Sequence, residues 1–551
     1  MFKLNNSTQM NMFDETLNLS DYHMKLLNKS WAGYFRENIF PKIDEEKFSV
    51  LYSDKASRPN TPVNIMVGLL VIKELTGLID NELMEALIFD LRFKYALCTT
   101  SFDRQPISRN AFTNFRNSLL SYELETGIDL FTEETMRLSK EINACCETET
   151  TLKRMDSIMI SSSCKHLSRI DLVYKVNVNL IETVNEIDGD LLSDREKEYL
   201  NVGFKKETVY STTKENQEEK LKTLLKDSKD LYDRYKDNNK INILDEFKLL
   251  DRMLHEQIDD TTGLPKSSKE IKPNSLQNPS DPDATYRFKY GNNIGYVGNV
   301  VEEIHENGEI YITGFDVKQN TYSDALFMED YINNKDDEES EKTLIDAAYY
   351  SSELEEKARA KNIELIPTQT MGKKQVNSTI LSEFEVDDEN HQVLTCPNKE
   401  VPTNSKYDEK SHIYLAHFDK SKCDECPCKE KCALAGFIKK KTVSVRFTNE
   451  SLQKAKMEKK MNTKEYKSIS NHRAGIEGTM STLRRKYNVD KCPSRGLFYT
   501  KLKFAGAILS INIKKAIKYK KNRDKNADIC LPFEKIFSFL RISNLKLSIL
   551  C

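Results

Sequence analysis

The sequence has no apolar run approaching the ~18 to 20 residues that a spanning helix needs, so a membrane protein is not expected. Its first residues, Met1-Phe-Lys-Leu-Asn-Asn-Ser-Thr8, lack the apolar region of a secretory signal, and the expected location is the cytoplasm. There is a single tryptophan, Trp31, expected to be a packing residue in an initial amphipathic helix. Net charge is nearly absent too, -3 over 551 residues, which selects no partner by itself. With 38% hydrophobic and 31% charged residues the chain is neither disordered nor membranous, and its length predicts about two to four globular units.

The charge is unevenly spread. Between Phe437 and Lys525 stand 25 Lys or Arg against 6 Asp or Glu, the pattern of a polyanion track, with a solvated face as the plain alternative. Inside that block, Ser470 to Tyr487 reads as one amphipathic helix. Arg473, Glu477, Ser481 and Arg484 line one side, and Ile476, Met480, Leu483 and Tyr487 form the apolar other. One carboxylate is thereby set among cations, although an exposed Arg and Glu four apart also occur as an ordinary surface pair. Two more acids stand where apolar, strand-like runs end: Asp156 in Leu152 to Ile160 and Asp346 in Thr343 to Tyr350. An acid so placed can point into a cleft, or it can serve as a turn or capping residue.

In order and context, Asp156, Asp346 and Glu477 resemble the acidic triad of DDE transposases from bacterial insertion sequences. The closest correspondence is Arg473-x-x-x-Glu477, the core of that family's Tyr-x2-Arg-x3-Glu-x6-Lys signature, with Ser470 at the Tyr position and Arg484 at the Lys position. Asp346-Ala-Ala-Tyr349 is similar to the family's Asp-x-Gly-Tyr, with Ala348 for Gly. The resemblance runs from about residue 45 to 518. It takes in Arg58-Pro59, the run Ile65 to Ile72, Leu78 to Ile88 and Ser108 to Arg116 as a helical amino-terminal domain. Asn293 to Gly298 and Asp316 to Asp324 fall in it as a central hairpin and following helix.

The resemblance implies an RNase H-like catalytic core and an enzyme that cleaves and joins DNA strands. Asp156, Asp346 and Glu477 would be catalytic and would hold two Mg2+ ions, with Mn2+ as an alternative, Asp156 bridging both. Water would cut at the element end, and the freed 3′-hydroxyl would attack target DNA. Arg473 would orient Glu477 or contact a phosphate; Arg484, Arg485 and Lys486 would hold the backbone. The partners implied are double-stranded DNA, both terminal inverted repeats and target, and a second copy of the chain, giving a homodimer on DNA at the nucleoid. The rival readings are a catalytically inactive DNA-binding protein derived from a transposase and a metal-dependent nuclease that cuts without joining.

The domain plan is α/β: a helical N-terminal unit over 1–150 and a catalytic unit over 151–518, then a tail over 519–551. Strand-forming segments begin at Asp156 and resume near Ile294 to Val301, Ile310 to Val317, Thr343 to Asp346 and Ile363 to Pro367. A Lys- and Glu-rich helical insert interrupts the catalytic unit over 187–270, either a solvated hairpin or a surface for the partner or DNA. In the N-terminal unit, Ser108 is a candidate cap, and Arg109, Asn110, Thr113 and Arg116 would project from a recognition helix or from an ordinary packing helix.

A second insert, 370–449, carries Cys423-Asp-Glu-Cys426-Pro-Cys428-Lys-Glu-Lys-Cys432, with Cys396 upstream. In a reducing compartment such spacing suggests metal before disulfides. The candidate set is Cys396, Cys423, Cys426 and Cys432 around a structural Zn2+, with His412 and His417 as substitutes. Unligated or redox-labile thiols are the alternative.

Overall fold

The computed structural model describes all residues except 1, 6–13, 54, 56–59, 102–106, 147, 260, 290, 336–338, 370–377, 388–389, 430–431, 433–434, 439–440 and 547–551, and no side chain of 378–379, 435–438 or 524–546. Arg58-Pro59, quoted for the helical domain, therefore lies outside the described residues.

The N-terminal region is helical: α1 (Asp21–Lys29), α2 (Trp31–Asn38), α3 (Val63–Thr76), α4 (Asp80–Phe89), α5 (Leu91–Ala96), α6 (Arg109–Thr126) and α7 (Leu130–Ala144). The single initial helix that was expected is two. Ser30 ends α1, and its hydroxyl accepts from the Ala32 N–H to cap α2. Trp31 packs edge-on against Phe93, ring centroids 5.2 Å apart. The apolar run at 65–72 becomes α3, buried on nearly every side, which Gly77 closes in a left-handed conformation at φ 78°. Ser108 caps α6 by accepting from the Ala111 N–H.

β1 (Thr150–Ser161) leads into an insert of five helices: α8 (Arg169–Asp188), α9 (Asp194–Tyr199), α10 (Val202–Lys205), α11 (Gln217–Tyr235) and α12 (Asp245–Gln257). They share a core of their own around Val173, Leu180, Leu224 and Leu250, and that core already begins at Ile170. The chain then returns to form β2 (Thr285–Phe288), β3 (Asn292–His305), β4 (Ile310–Gln319), α13 (Asp324–Asn333), β5 (Glu341–Ile345), α14 (Ser352–Ala360) and β6 (Ile363–Pro367). These strands and β1 make one mixed sheet in the order β2-β3-β1-β5-β6, with β4 also on β3. β3 runs antiparallel to β1, while β1, β5 and β6 are parallel.

Alternation along β1 decides what each face meets. Met155, with Val297 and Val301 of β3, packs under α13 and α14 beside Phe327 and Leu354. Ile158 and Ile160, with Tyr296 and Val300, join the larger core that α3, α7 and the C-terminal helices build on the other face.

After β6 come α15 (Ser378–Leu381), the pair β7 (Glu385–Asp387) and β8 (Gln392–Thr395), then β9 (Asn404–Asp408), β10 (Ile413–Asp419), α16 (Lys420–Asp424), β11 (Ala435–Ile438), β12 (Thr442–Thr448) and α17 (Asn449–Met461). β9 to β12 form a separate four-stranded sheet over a core of Phe384, Tyr414, Phe418, Phe447 and Leu452. The helix expected from Ser470 to Tyr487 is interrupted. α18 (Lys464–Ser470) passes through a 3-10 turn, Asn471–Gly475, into α19 (Ile476–Tyr487), and α20 (Leu497–Lys546) closes the chain. Among the described residues no helix is long and apolar enough to cross a membrane.

Candidate active site

β1 and β5 pair in the register Lys153↔Thr343 and Arg154↔Leu344, which two residues further on sets Asp156 beside Asp346. Asp156 lies within β1, and its Oδ1 accepts from the Ser157 N–H at 2.9 Å. Asp346 lies one residue past β5 and caps the short turn Ala347–Tyr349, accepting from the Ala347 N–H at 2.8 Å. Open α/β sheets place ligands at the carboxyl ends of their parallel strands, which is where Asp346 stands; Asp156, expected at a strand end, instead lies inside β1, which continues to Ser161.

α19 supplies the third. Its apolar face is deeply buried, Ile476, Met480, Leu483 and Tyr487 each at 5% exposure or less, so Glu477 is turned to the rim at 60% side-chain exposure. Arg473, on the 3-10 turn, holds the three acids in one place. Its Nη2 is 3.0 Å from Asp156 Oδ2 and 4.0 Å from Asp346 Oδ2, and its Nη1 is 3.5 Å from Glu477 Oε1. Both Asp156 and Arg473 are mostly enclosed, at 15% and 16% side-chain exposure. Burial pushes the Asp156 carboxyl above its usual range; Arg473 and the Ser157 N–H oppose that, while Glu477 and Asp346 add to it.

Residues that sequence reasoning missed hold this corner together. Arg154 shares the sheet face of Asp156 and faces Glu302 of β3 in the cross-strand register. The pair is fully enclosed, with Arg154 Nε donating to Glu302 Oε2 at 2.6 Å. Arg154 Nη1 also donates to the carbonyl of His472 at 2.6 Å, in the turn before α19. The other oxygen of Glu302 accepts from the hydroxyl of Thr479 on α19, with Lys515 of α20 at 3.7 Å. These bonds break the helix that was expected to run unbroken: the His472 carbonyl is turned to Arg154, and a Cβ on Gly475 would sit 2.3 Å from Arg154 Nη1. The available signal was Arg154, two residues before Asp156 and therefore on its face.

The expected DNA-contacting residues fall in two groups. Arg484, Arg485 and Lys486 are exposed on the last turn of α19. Arg109 is exposed at the start of α6, whereas Arg116 is tied to Asp80 at 2.7 Å and lies over the Phe112 ring. Arg109, Arg116, Lys486, Lys491 and Lys503 nonetheless line one cleft of about 640 Å3 between α4, α6 and the segment joining α19 to α20.

In the insert, Cys396, Cys423 and Cys432 pack against the β-sheet core, and all of Cys396, Cys423, Cys426, Cys428 and Cys432 are free thiols. They are close enough to act on one another: burial, then Cys426, Cys396, Cys423 and Cys428, push the Cys432 thiol up to about 11. In this arrangement no group of three or more His, Cys, Asp or Glu among the described residues is poised to hold a metal ion. At the three carboxylates, Arg473 provides the balancing positive charge.

Two family models match the chain. One, described as Transposase DDE domain, matches residues 395–517, spanning most of the cysteine-bearing insert, α18, α19 and the first part of α20. The other, Transposase domain (DUF772), matches residues 25–118, from α1 into α6. No curated protein and no solved structure matches the chain.

Proposed function

From a chain that is a DDE transposase of insertion-sequence type, we propose that Asp156, Asp346 and Glu477 are the catalytic acids of an enzyme that cuts element ends and joins the 3′-hydroxyl to target DNA. The observation that carries this reading is the meeting of three acids, 156, 346 and 477 in the sequence, on one guanidinium. Ion pairing at a plain surface does not gather three carboxylates from the middle of one strand, the end of another and a helix around a mostly enclosed arginine. The mixed sheet with helices on both faces and acids at its centre supports an RNase H-like core.

The family works with divalent metal, and the donor set here suits a hard cation: three carboxylates offer only oxygen, in a pocket with more negative than positive charge. The buried Nε of Arg473 has no acceptor among the described residues, so that side chain is incompletely satisfied where it stands. Asp156, Asp346 and Glu477 would hold a pair of Mg2+ ions, or Mn2+, which supply charge stabilisation to the attacking and leaving oxygens. Arg473, relieved of the acids, is placed to contact a phosphate. Arg484, Arg485 and Lys486 hold the DNA backbone, as do Arg109 and Arg116 across the cleft. Two ends must be brought together, so the working form on DNA is a homodimer. The four thiols of Cys396, Cys423, Cys426 and Cys432 would, once drawn together, hold one structural Zn2+.

The test is an in vitro cleavage and joining assay on the element's own ends with Mg2+. Asp156→Ala, Asp346→Ala and Glu477→Ala are each expected to lower cleavage by about 1,000-fold or more, on the scale of losing a principal charge-stabilising group, while end binding persists. Undiminished cleavage in any of them removes that residue from the site. Cleavage without joining in the wild type assigns the chain to the nucleases, and neither reaction assigns it to the inactive DNA-binding descendants.

A further inference from the structure

Resting on the reading of Asp156 and Glu477 as metal-holding acids, we propose that Arg154 and Glu302 are positioning residues whose task is to set the separation of the β1 strand from α19. The connectivity makes this specific. Arg154 is two residues from Asp156 along one strand face, and its Nη1 donates at 2.6 Å to His472, the neighbour of Arg473. Glu302 holds Arg154 at 2.6 Å and accepts from Thr479, two residues beyond Glu477 on α19. One buried pair thus touches the chain two residues from each of two acids and one residue from the arginine between them.

Stability alone does not account for the arrangement. A buried ion pair gains little over well-packed apolar side chains, because removing two charges from water offsets most of their attraction. This one also draws in a third charge: Lys515 of α20 lies 3.7 Å from Glu302, and burial lowers its amine's affinity for a proton. The side-chain contacts of Arg154 on β1 and Glu302 on β3 join those two strands to each other and to the 3-10 turn, α19 and α20, the elements that carry or support the site. Gly475 fits the same purpose, since a side chain there would displace Arg154 from the turn it holds. Where supporting contacts set the geometry of metal ligands, their loss weakens metal binding without removing a ligand.

The experiment measures Mn2+ affinity and thermal midpoint on the full-length wild type, Arg154→Lys, Thr479→Val and Asp156→Asn. Arg154→Lys keeps a cation facing Glu302 but cannot reach both Glu302 and the His472 carbonyl. Thr479→Val keeps shape and removes only the hydroxyl bonded to Glu302. Both are expected to melt within a few degrees of wild type and to bind Mn2+ about 10- to 100-fold more weakly. Wild-type Mn2+ affinity in a folded Arg154→Lys or Thr479→Val overturns the positioning role. Should Arg154→Lys fail to fold, Thr479→Val decides alone. Asp156→Asn separates this from the reading beneath it: if wild type and Asp156→Asn bind Mn2+ alike, the acids are not the metal site and both proposals fall together.

Discussion

At the scale of single residues, Asp156 carries an electrostatic conflict. Burial holds its carboxyl above the usual range despite the guanidinium of Arg473, and Glu477 and Asp346 push the same way. For a group whose folded-state pKa is raised, the stability it contributes is present below the unfolded pKa and lost as pH rises through the folded one. At neutral pH the ionised Asp156 therefore weighs against the fold. Asp156→Asn is expected to melt at a higher temperature than wild type near pH 7, with the difference closing in acid, where the wild-type carboxyl is protonated. Thermal melts across that pH range check this; equal midpoints at pH 7 would refute it. If Asp156 holds the metal as proposed, the same raised proton affinity is expected to make Mn2+ binding fall away, on acidification, at a higher pH than for an ordinary carboxylate. A site that is costly in the unliganded fold is one that a bound cation would stabilise, as the proposed metal pocket requires.

At the scale of elements, much of this was legible in the chain and some was not. The apolar stripe Ile476, Met480, Leu483 and Tyr487 predicted which side of α19 is buried, and it is. Period-three-to-four spacing reports a face but says nothing of a turn whose carbonyl is taken by a residue more than 300 positions away, so the break at Asn471–Gly475 was invisible. Arg154 and Glu302 were hidden for a related reason: in a sequence, a charged residue reads as solvent-facing, and only the sheet register shows two of them opposed and enclosed. The cysteine-bearing element is the converse case. Its thiols were legible from spacing and do cluster, yet burial and mutual repulsion keep Cys432 protonated, with its thiol up to about 11. Zinc binding must then release protons, and an apo insert must shift its side chains to close around the ion. We expect about one zinc per chain in protein purified without chelator, proton release on reloading, and a lower melting temperature after chelation. Elemental analysis finding no zinc in such a sample would assign the cluster to free thiols.

At the scale of the whole molecule, the basic excess near the C-terminus divides into cations that build the fold and cations left facing solvent. Lys501 pairs with Glu123 at 2.6 Å, Lys503 with Glu74 at 3.1 Å and Lys520 with Glu37 at 3.4 Å, so α20 is strapped to the N-terminal helices by charge as well as by its apolar face. Those lysines neutralise acids in the same molecule and have little left for a polyanion. Arg484, Arg485 and Lys486 are different, exposed on α19 with no ion pair among the described residues, on the element that also bears Glu477. Each phosphate contact releases condensed counterions, so the salt dependence of DNA binding counts the cations used. Alanine at all three positions is expected to weaken binding to duplex element ends about equally for any sequence and to flatten the slope of log K against log salt by up to about 3, roughly one per lost contact. Lys501→Ala should instead lower thermal stability and leave the slope alone. Fluorescence anisotropy titrations at several salt concentrations distinguish these outcomes. A triple variant with an unchanged slope would place the DNA on another face, and with it the path by which a strand reaches Asp156.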